Sequence, residues 1–133
     1  MVNIVFFYNC MEGNYMSEIK RSDVFEDLAF SGIVEVGDFV FISFCVGNIG
    51  QPIENQINGA FDHLIYRLEQ IGINLESVVK MDCLFRDISN IPVMEKVIKE
   101  RFNGKYPARK SIQTEFGGQE RILFQLDAMA YKI

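Results

Sequence analysis

Tryptophan is absent from the 133 residues, histidine occurs once, and cysteine and proline occur three times each. A single histidine, His63, excludes a His-rich metal site, and any cysteine–histidine dyad would have to use it. Cys10, Cys45 and Cys83 form an odd set with no CxxC spacing, so neither a disulfide framework nor a zinc site is expected and a reducing compartment fits. No apolar run approaches the ~18 residues that a membrane span needs. The apolar stretch Val2–Tyr8 lacks a basic n-region and a small-residue cleavage site, so no signal peptide is expected and the expected location is the cytoplasm. Basic side chains are outnumbered, 13 Lys and Arg against 18 Asp and Glu, for a net charge of -5. Phosphate backbones repel such a surface, so a nucleic-acid partner is not expected.

What remains is a globular composition: 49% hydrophobic and 23% charged residues. A chain of this length is one domain that buries about two-thirds of its unfolded surface. No internal repeat, low-complexity tract or linker interrupts it. Pro52, Pro92 and Pro107 each fall near an expected element boundary.

Ile33–Val36 and Phe39–Val46 are β-rich and flank Gly37-Asp38, a tight-hairpin signal. The second segment is apolar on both faces: Phe39, Phe41, Ser43 and Cys45 on one, Val40, Ile42, Phe44 and Val46 on the other. Gln51–Ile71 reads as a helix, with Ile53, Ile57, Phe61, Leu64, Leu68 and Ile71 in one stripe, Pro52 in the first turn and Gly72 at the C-terminal end. Val78–Phe85 reads as a strand with Val79, Met81, Cys83 and Phe85 on one face. Asn90–Phe102 reads as a second helix, with Asn90 as N-cap, Pro92 in its first turn and Met94, Val97, Ile98 and Phe102 inward. Ser111–Phe116 and Ile122–Tyr131 read as strands around Gly117-Gly118; in the last, Ile122, Phe124, Leu126, Ala128 and Ala130 share one face.

The resulting order is ββαβαββ, an α+β mixed sheet with both helices on one face, as the right-handed crossover rule places them. The far face is expected to carry Val40, Ile42, Phe44, Leu123 and Met129, an apolar patch that self-association would bury. Asp127 lies mid-strand on that face with Gln125 two residues away, and a buried carboxylate there has to be paired. Arg109 follows Tyr106-Pro107-Ala108, where the proline stiffens the approach. An arginine fixed there can hold a ligand carboxylate through two parallel hydrogen bonds, or it can make a structural ion pair with Asp127 at a subunit contact. Spacing alone leaves both open.

Several runs carry a resemblance. Val24-Phe25-Glu26-Asp27-Leu28-Ala29-Phe30-Ser31, Val36-Gly37-Asp38-Phe39-Val40-Phe41-Ile42-Ser43, Gly72 through Lys80, Phe85-Arg86-Asp87 and Tyr106-Pro107-Ala108-Arg109-Lys110-Ser111 together resemble the RidA/YjgF (L-PSP endoribonuclease-like) family over residues 18–133. The resemblance implies a chorismate-mutase-like fold and a homotrimer with a central barrel and clefts at the subunit contacts. It implies hydrolysis of reactive enamines and imines of 2-amino acids to 2-keto acids and ammonia, with no metal or organic cofactor. Arg109 would grip the carboxylate of a small-molecule substrate, Asp127 would help to activate water, and Ser43 would line the cleft. Two alternatives accompany it: a trimer that binds a small carboxylate metabolite without turnover, and an endoribonuclease, against which the acidic charge and the lack of a catalytic histidine pair both weigh.

The chain departs from the family pattern at five places. Phe30 stands where the family has a cleft tyrosine, Phe44 where it has a glycine, Glu95 where it has an asparagine and Ser111 where it has a cysteine; Asp127 is a shortened glutamate, drawn back by roughly one C–C bond. These changes imply a smaller, more apolar cleft in which Ser43, Phe30, Phe44 and Glu95 meet the substrate beside Arg109, and Asp127 and Ser111 supply the polar chemistry. Cys45 and Cys83 are expected as core residues, Cys10 as the exposed thiol, His63 as a structural residue, and Glu115 and Glu120 as solvated. Residues 1–17 are an extension to the matched domain, with Asn3–Tyr8 a candidate edge strand or the product of start-site choice.

Overall fold

Eight principal elements follow one another along the chain: β1 (Ile19–Phe25), β2 (Phe30–Val36), β3 (Phe39–Cys45), α1 (Ile53–Gln70), β4 (Val78–Phe85), α2 (Ile91–Phe102), β5 (Ala108–Gln113) and β6 (Phe124–Tyr131). They come from a computed structural model that describes residues 18–133. The expected 1–17 extension, its Asn3–Tyr8 strand and Cys10 lie outside the described residues. The strands form one sheet in the order β1-β2-β3-β6-β4-β5. All neighbours are antiparallel except β4 and β5, which run parallel with α2 as their crossover. This is the expected α+β mixed sheet with two helices, extended by one strand. β1 carries no apolar alternation; Ile-Lys-Arg-Ser-Asp-Val-Phe is mostly exposed and is held at the sheet edge by its pairing with β2. No helix among the described residues is long and apolar enough to cross a membrane.

The helices pack where their sequence periodicity directs. Ile57, Ala60, Phe61, Leu64 and Leu68 of α1 are buried, as are Met94, Val97, Ile98 and Phe102 of α2. Phe61 meets Phe102 edge-on at 6.0 Å and Phe124 at 6.4 Å, joining both helices to β6. Pro52 stands at the N-cap of α1 rather than inside its first turn, and Asn90 occupies the N-cap of α2 without a side-chain bond. Buried Gln56 ties the start of α1 to the strand beneath it: its amide donates to the carbonyls of Gln51 (3.0 Å) and Arg121 (2.9 Å) and accepts from the Leu123 N–H (2.9 Å).

The side-chain phase of two strands differs from simple alternation, and in each case the ladder shifts register. On β3 the shift falls between Ile42 and Cys45. Val40 and Ile42 lie in the core rather than on the far face, and past the shift Cys45 also turns inward. On β4 the shift falls between Val78 and Lys80, so Val78 is buried and Val79, expected inside, is exposed. An extra residue in one strand displaces every later side chain by half a period. The uncovered face therefore carries Val36, Phe39 and Tyr131 in one cross-strand row and Val34, Phe41 and Met129 in the next. Of the expected far-face residues, Met129 is there. The C-terminal strands also differ from expectation: β5 begins at Ala108, β4 separates it from β6, and a 3-10 turn at Phe116–Gly118 lies on the connection.

Beyond β3 the chain passes very close to α1. A Cβ on Gly47 would lie 2.4 Å from the carbonyl carbon of Gly59, and one on Gly59 would lie 2.7 Å from that of Gly47. Backbone cannot yield as a side-chain tip can. Gly47→Ala is expected to lower the unfolding free energy by ~2 kcal/mol, within the usual cost of overpacking. The check is the urea midpoint: a clear fall at constant m-value is expected, and an unchanged midpoint would show the contact to be slack.

Candidate active site

The buried guanidinium of Arg67 organises one end of β3. Its side chain, on α1, is 0% exposed. Nε donates to Asp23 Oδ2 at 2.8 Å; Nη1 donates to the carbonyl oxygens of Ser43 and, at 3.3 Å, of Phe44, and reaches Cys45 Sγ at 3.5 Å. The group also lies 6.0 Å from the centroid of the Phe25 ring. Gly32 leaves room for it, since a Cβ there would approach Nη2 to 2.6 Å.

From the other side Asp127 completes the clamp. Its Oδ1 accepts the Phe44 N–H at 2.7 Å, the Ser43 hydroxyl at 3.4 Å and the Gln125 amide at 3.5 Å. Phe44 is thus held on both faces of its peptide at φ +63°, in the left-handed region that favours glycine. Its ring does not stand alone in the cleft: it meets Phe30 edge-on at 5.6 Å, and Phe30 stacks on Phe25 at 4.8 Å. A shallow cavity of about 220 Å³ opens here, lined by Ser31, Phe41, Ser43, Lys80, Asp82 and Asp127 among others. Asp82 lies directly across from Asp127 in the ladder, with Lys80 Nζ 3.7 Å from its carboxylate.

Arg109 belongs to a second group. Its Nη2 pairs with Glu95 Oε2 on α2 at 3.2 Å and its Nη1 donates to Ser111 Oγ at 3.2 Å. A cavity of about 380 Å³ lies against it, lined by Met81, Glu95, Ile98, Lys99, Tyr106 and Pro107. Register fixes the relation between the groups. Arg109 aligns with Met81 and Ala128, both buried under the helices, whereas Asp127 aligns with Asp82 and Lys110 on the opposite face. Within one chain the predicted residues therefore fall into two sets. Ser43 and Asp127 line one cavity, with the Phe44 backbone N–H on Asp127 and the Phe44 ring against Phe30; Glu95, Arg109 and Ser111 are together at the other; and the sheet stands between Arg109 and Asp127. No Arg109–Asp127 ion pair exists within the chain, because the two side chains lie on opposite faces of the sheet; the Arg109 guanidinium pairs with Glu95 instead.

The remaining candidates are structural. Burial pushes the thiols of Cys45 and Cys83 up to about 12, so both are un-ionised at neutral pH. His63 places Nδ1 3.3 Å from the Val46 nitrogen and 3.0 Å from its oxygen. Burial, and then the positive charge of Arg67, hold its pKa below the usual value. No cluster of His, Cys, Asp and Glu suited to a metal ion occurs among the described residues.

With this geometry in hand, the relatives are informative. The sequence matches the family Endoribonuclease L-PSP over residues 26–131. A hypothetical protein from Streptococcus pyogenes M1 GAS, a member of the highly conserved yjgF family, is 62% identical and superposes with a TM-score of 0.83 over 88% of this chain and 98% of its own. A 2-iminobutanoate/2-iminopropanoate deaminase of Dermatophagoides farinae is 28% identical over 90 residues, 62% of this chain and 70% of that protein. A RutC family protein of Pyrococcus abyssi (strain GE5 / Orsay) is 26% identical over 110 residues, 77% of this chain and 86% of its own.

Sequence reasoning missed Arg67 and Asp23. A signal existed: Ile57, Ala60, Leu64, Arg67 and Ile71 recur at intervals of three and four, which puts an arginine inside the apolar stripe of α1. Arg67→Met is expected to cost about 3 kcal/mol, because it strands Asp23 and the carbonyls of the bulge. Denaturant titration checks this, and a cost below ~1 kcal/mol, in the range of an exposed pair, would mean that the bulge is held by other contacts.

Proposed function

The chain belongs to the Endoribonuclease L-PSP family, which takes in the YjgF proteins, and on that footing we propose that it hydrolyses reactive 2-imino and enamino acids to 2-keto acids and ammonia, acting as a homotrimer. The observation that carries the reading is the placement of Arg109. Its guanidinium stands at the wall of a cavity large enough for a small organic anion, fixed by Ser111 and Glu95 on a strand that Pro107 leads into. The activity printed for the Dermatophagoides farinae relative supports the substrate class.

In this reading Arg109 binds the substrate carboxylate through its fork. Asp127 comes from a neighbouring chain, since in its own chain it lies across the sheet from Arg109. The apolar rows around Phe39, Phe41, Met129 and Tyr131 supply the face on which the chains meet, for an uncovered patch of this kind marks an interaction surface. Asp127 orients a water whose oxygen bonds to C2 as the C=N π pair moves to nitrogen. The water's proton passes by way of the carboxylate to the nitrogen, giving the carbinolamine; the carboxylate then takes the proton of its hydroxyl and delivers it to the amine, which leaves as ammonia as C=O forms. Ser111 and Ser43 provide hydroxyls on the two walls. Phe30 and Phe44 make one wall apolar, which favours a short aliphatic side chain on the substrate.

One observation favours a second reading, a carboxylate-binding trimer without turnover: Glu95 already occupies part of Arg109. The two separate in one experiment. Freshly generated 2-aminoacrylate or 2-iminobutyrate is followed by ammonia release with semicarbazide as competitor. Accelerated release that falls on the order of a hundredfold in Arg109→Ala is expected, a loss typical of a mispositioned substrate. Saturable binding of a keto acid with no acceleration would replace the enzyme by the binding protein.

A further inference from the structure

The pairing of Arg109 with a carboxylate of its own chain alters what the cavity can select. Glu95 touches the guanidinium through one oxygen at 3.2 Å, and the two side chains are 44% and 31% exposed. A single, partly solvated contact is weak enough to be exchanged for a ligand. Arg109 Nη1 is meanwhile directed at Ser111 Oγ. The titratable groups that line the cavity are Glu95, Lys99, Tyr106 and Arg109.

A plain monoanion arriving here has to separate Glu95 from Arg109 or share the guanidinium with it, leaving two carboxylates close together. A ligand that carries a cationic nitrogen beside its carboxylate meets no such conflict: one ion pair becomes two, carboxylate on Arg109 and nitrogen on Glu95. We propose that Glu95 and Arg109 form a paired subsite that selects ligands bearing a carboxylate adjacent to a cationic nitrogen over keto acids of the same skeleton. The inference rests on Arg109 as carboxylate anchor, the reading given above, and it names a specificity-determining residue for it. A protonated imine has that charge on its nitrogen and the keto acid formed from it does not. Glu95 thus favours the substrate of the proposed reaction and expels its product.

The test uses the full chain and two stable compounds, 2-aminobutyrate and 2-ketobutyrate, which differ only in the group on C2. Calorimetric affinities are measured for the wild type, Glu95→Gln and Arg109→Ala. The wild type is expected to bind the amino acid more tightly. Glu95→Gln, which keeps size and removes charge, is expected to shift the ratio toward the keto acid by roughly tenfold, as loss of one attraction and one repulsion of ordinary size implies. A ratio unchanged in Glu95→Gln while Arg109→Ala loses both ligands overturns the role of Glu95 and leaves the anchor standing. Equal wild-type affinities also overturn it, as when Lys99, one turn along α2, receives the displaced carboxylate. Binding of neither compound to the wild type overturns the anchor and this inference with it.

Discussion

A single buried guanidinium holds together the region from which the candidate site is built. Arg67 enters from the helix side and bonds to the carbonyls of the β3 bulge, while Asp127 receives the bulge's amide from the open side. A charge this deeply enclosed is tolerated only when it is paired and hydrogen-bonded; Asp23 and the two carbonyls serve Nε and Nη1, while Nη2 is buried without a partner. The bulge in turn explains the phase of β3. Val40, Ile42 and Cys45 all face the core because one extra residue is accommodated between them, and that residue's neighbour Phe44 takes the left-handed conformation. The position of the guanidinium depends on Gly32, since a Cβ there would occupy its space.

The same sheet that positions the site divides it. Asp127 and Ser43 line a cavity on one side; Arg109, Glu95 and Ser111 lie against a cavity on the other. Chemistry that uses both sets requires two chains, with the β5 edge of one brought against the open face of the next. The proposed trimer meets that requirement, and it accounts for the aromatic rows left uncovered on the open face. The replacement of a family glycine by Phe44 then has a local consequence in two parts. The backbone keeps the conformation that suits glycine, and the added ring is absorbed by Phe30, which itself lacks the hydroxyl of the family tyrosine.

Much of this was legible in the chain. The stripes of both helices, the Gly37-Asp38 hairpin and the inward face of β6 all follow from periodicity and turn chemistry, which are local. What was not legible depends on partners distant in sequence. β1 is a strand because β2 offers it hydrogen bonds, not because Ile-Lys-Arg-Ser-Asp-Val-Phe alternates. Val79 faces outward because β6 is offset against β4. Glu95 is expected beside Arg109 as a cleft residue, but its direct ion pair with that guanidinium depends on the packing of α2 near β5. Arg67 falls within an apolar stripe, but the groups that make its burial possible, Asp23 and the carbonyls of β3, lie far from it in sequence.

Complementation tests the account at its centre, the division of one site between two chains. Arg109→Ala and Asp127→Ala proteins, each inactive alone, are unfolded, mixed in equal amounts and refolded together. In a threefold ring with one wall from each neighbour, about a quarter of the sites regain both side chains, so activity near a quarter of the wild-type level is expected. Mixed oligomers, identified by mass, that stay as inactive as either parent would contradict a site shared between chains.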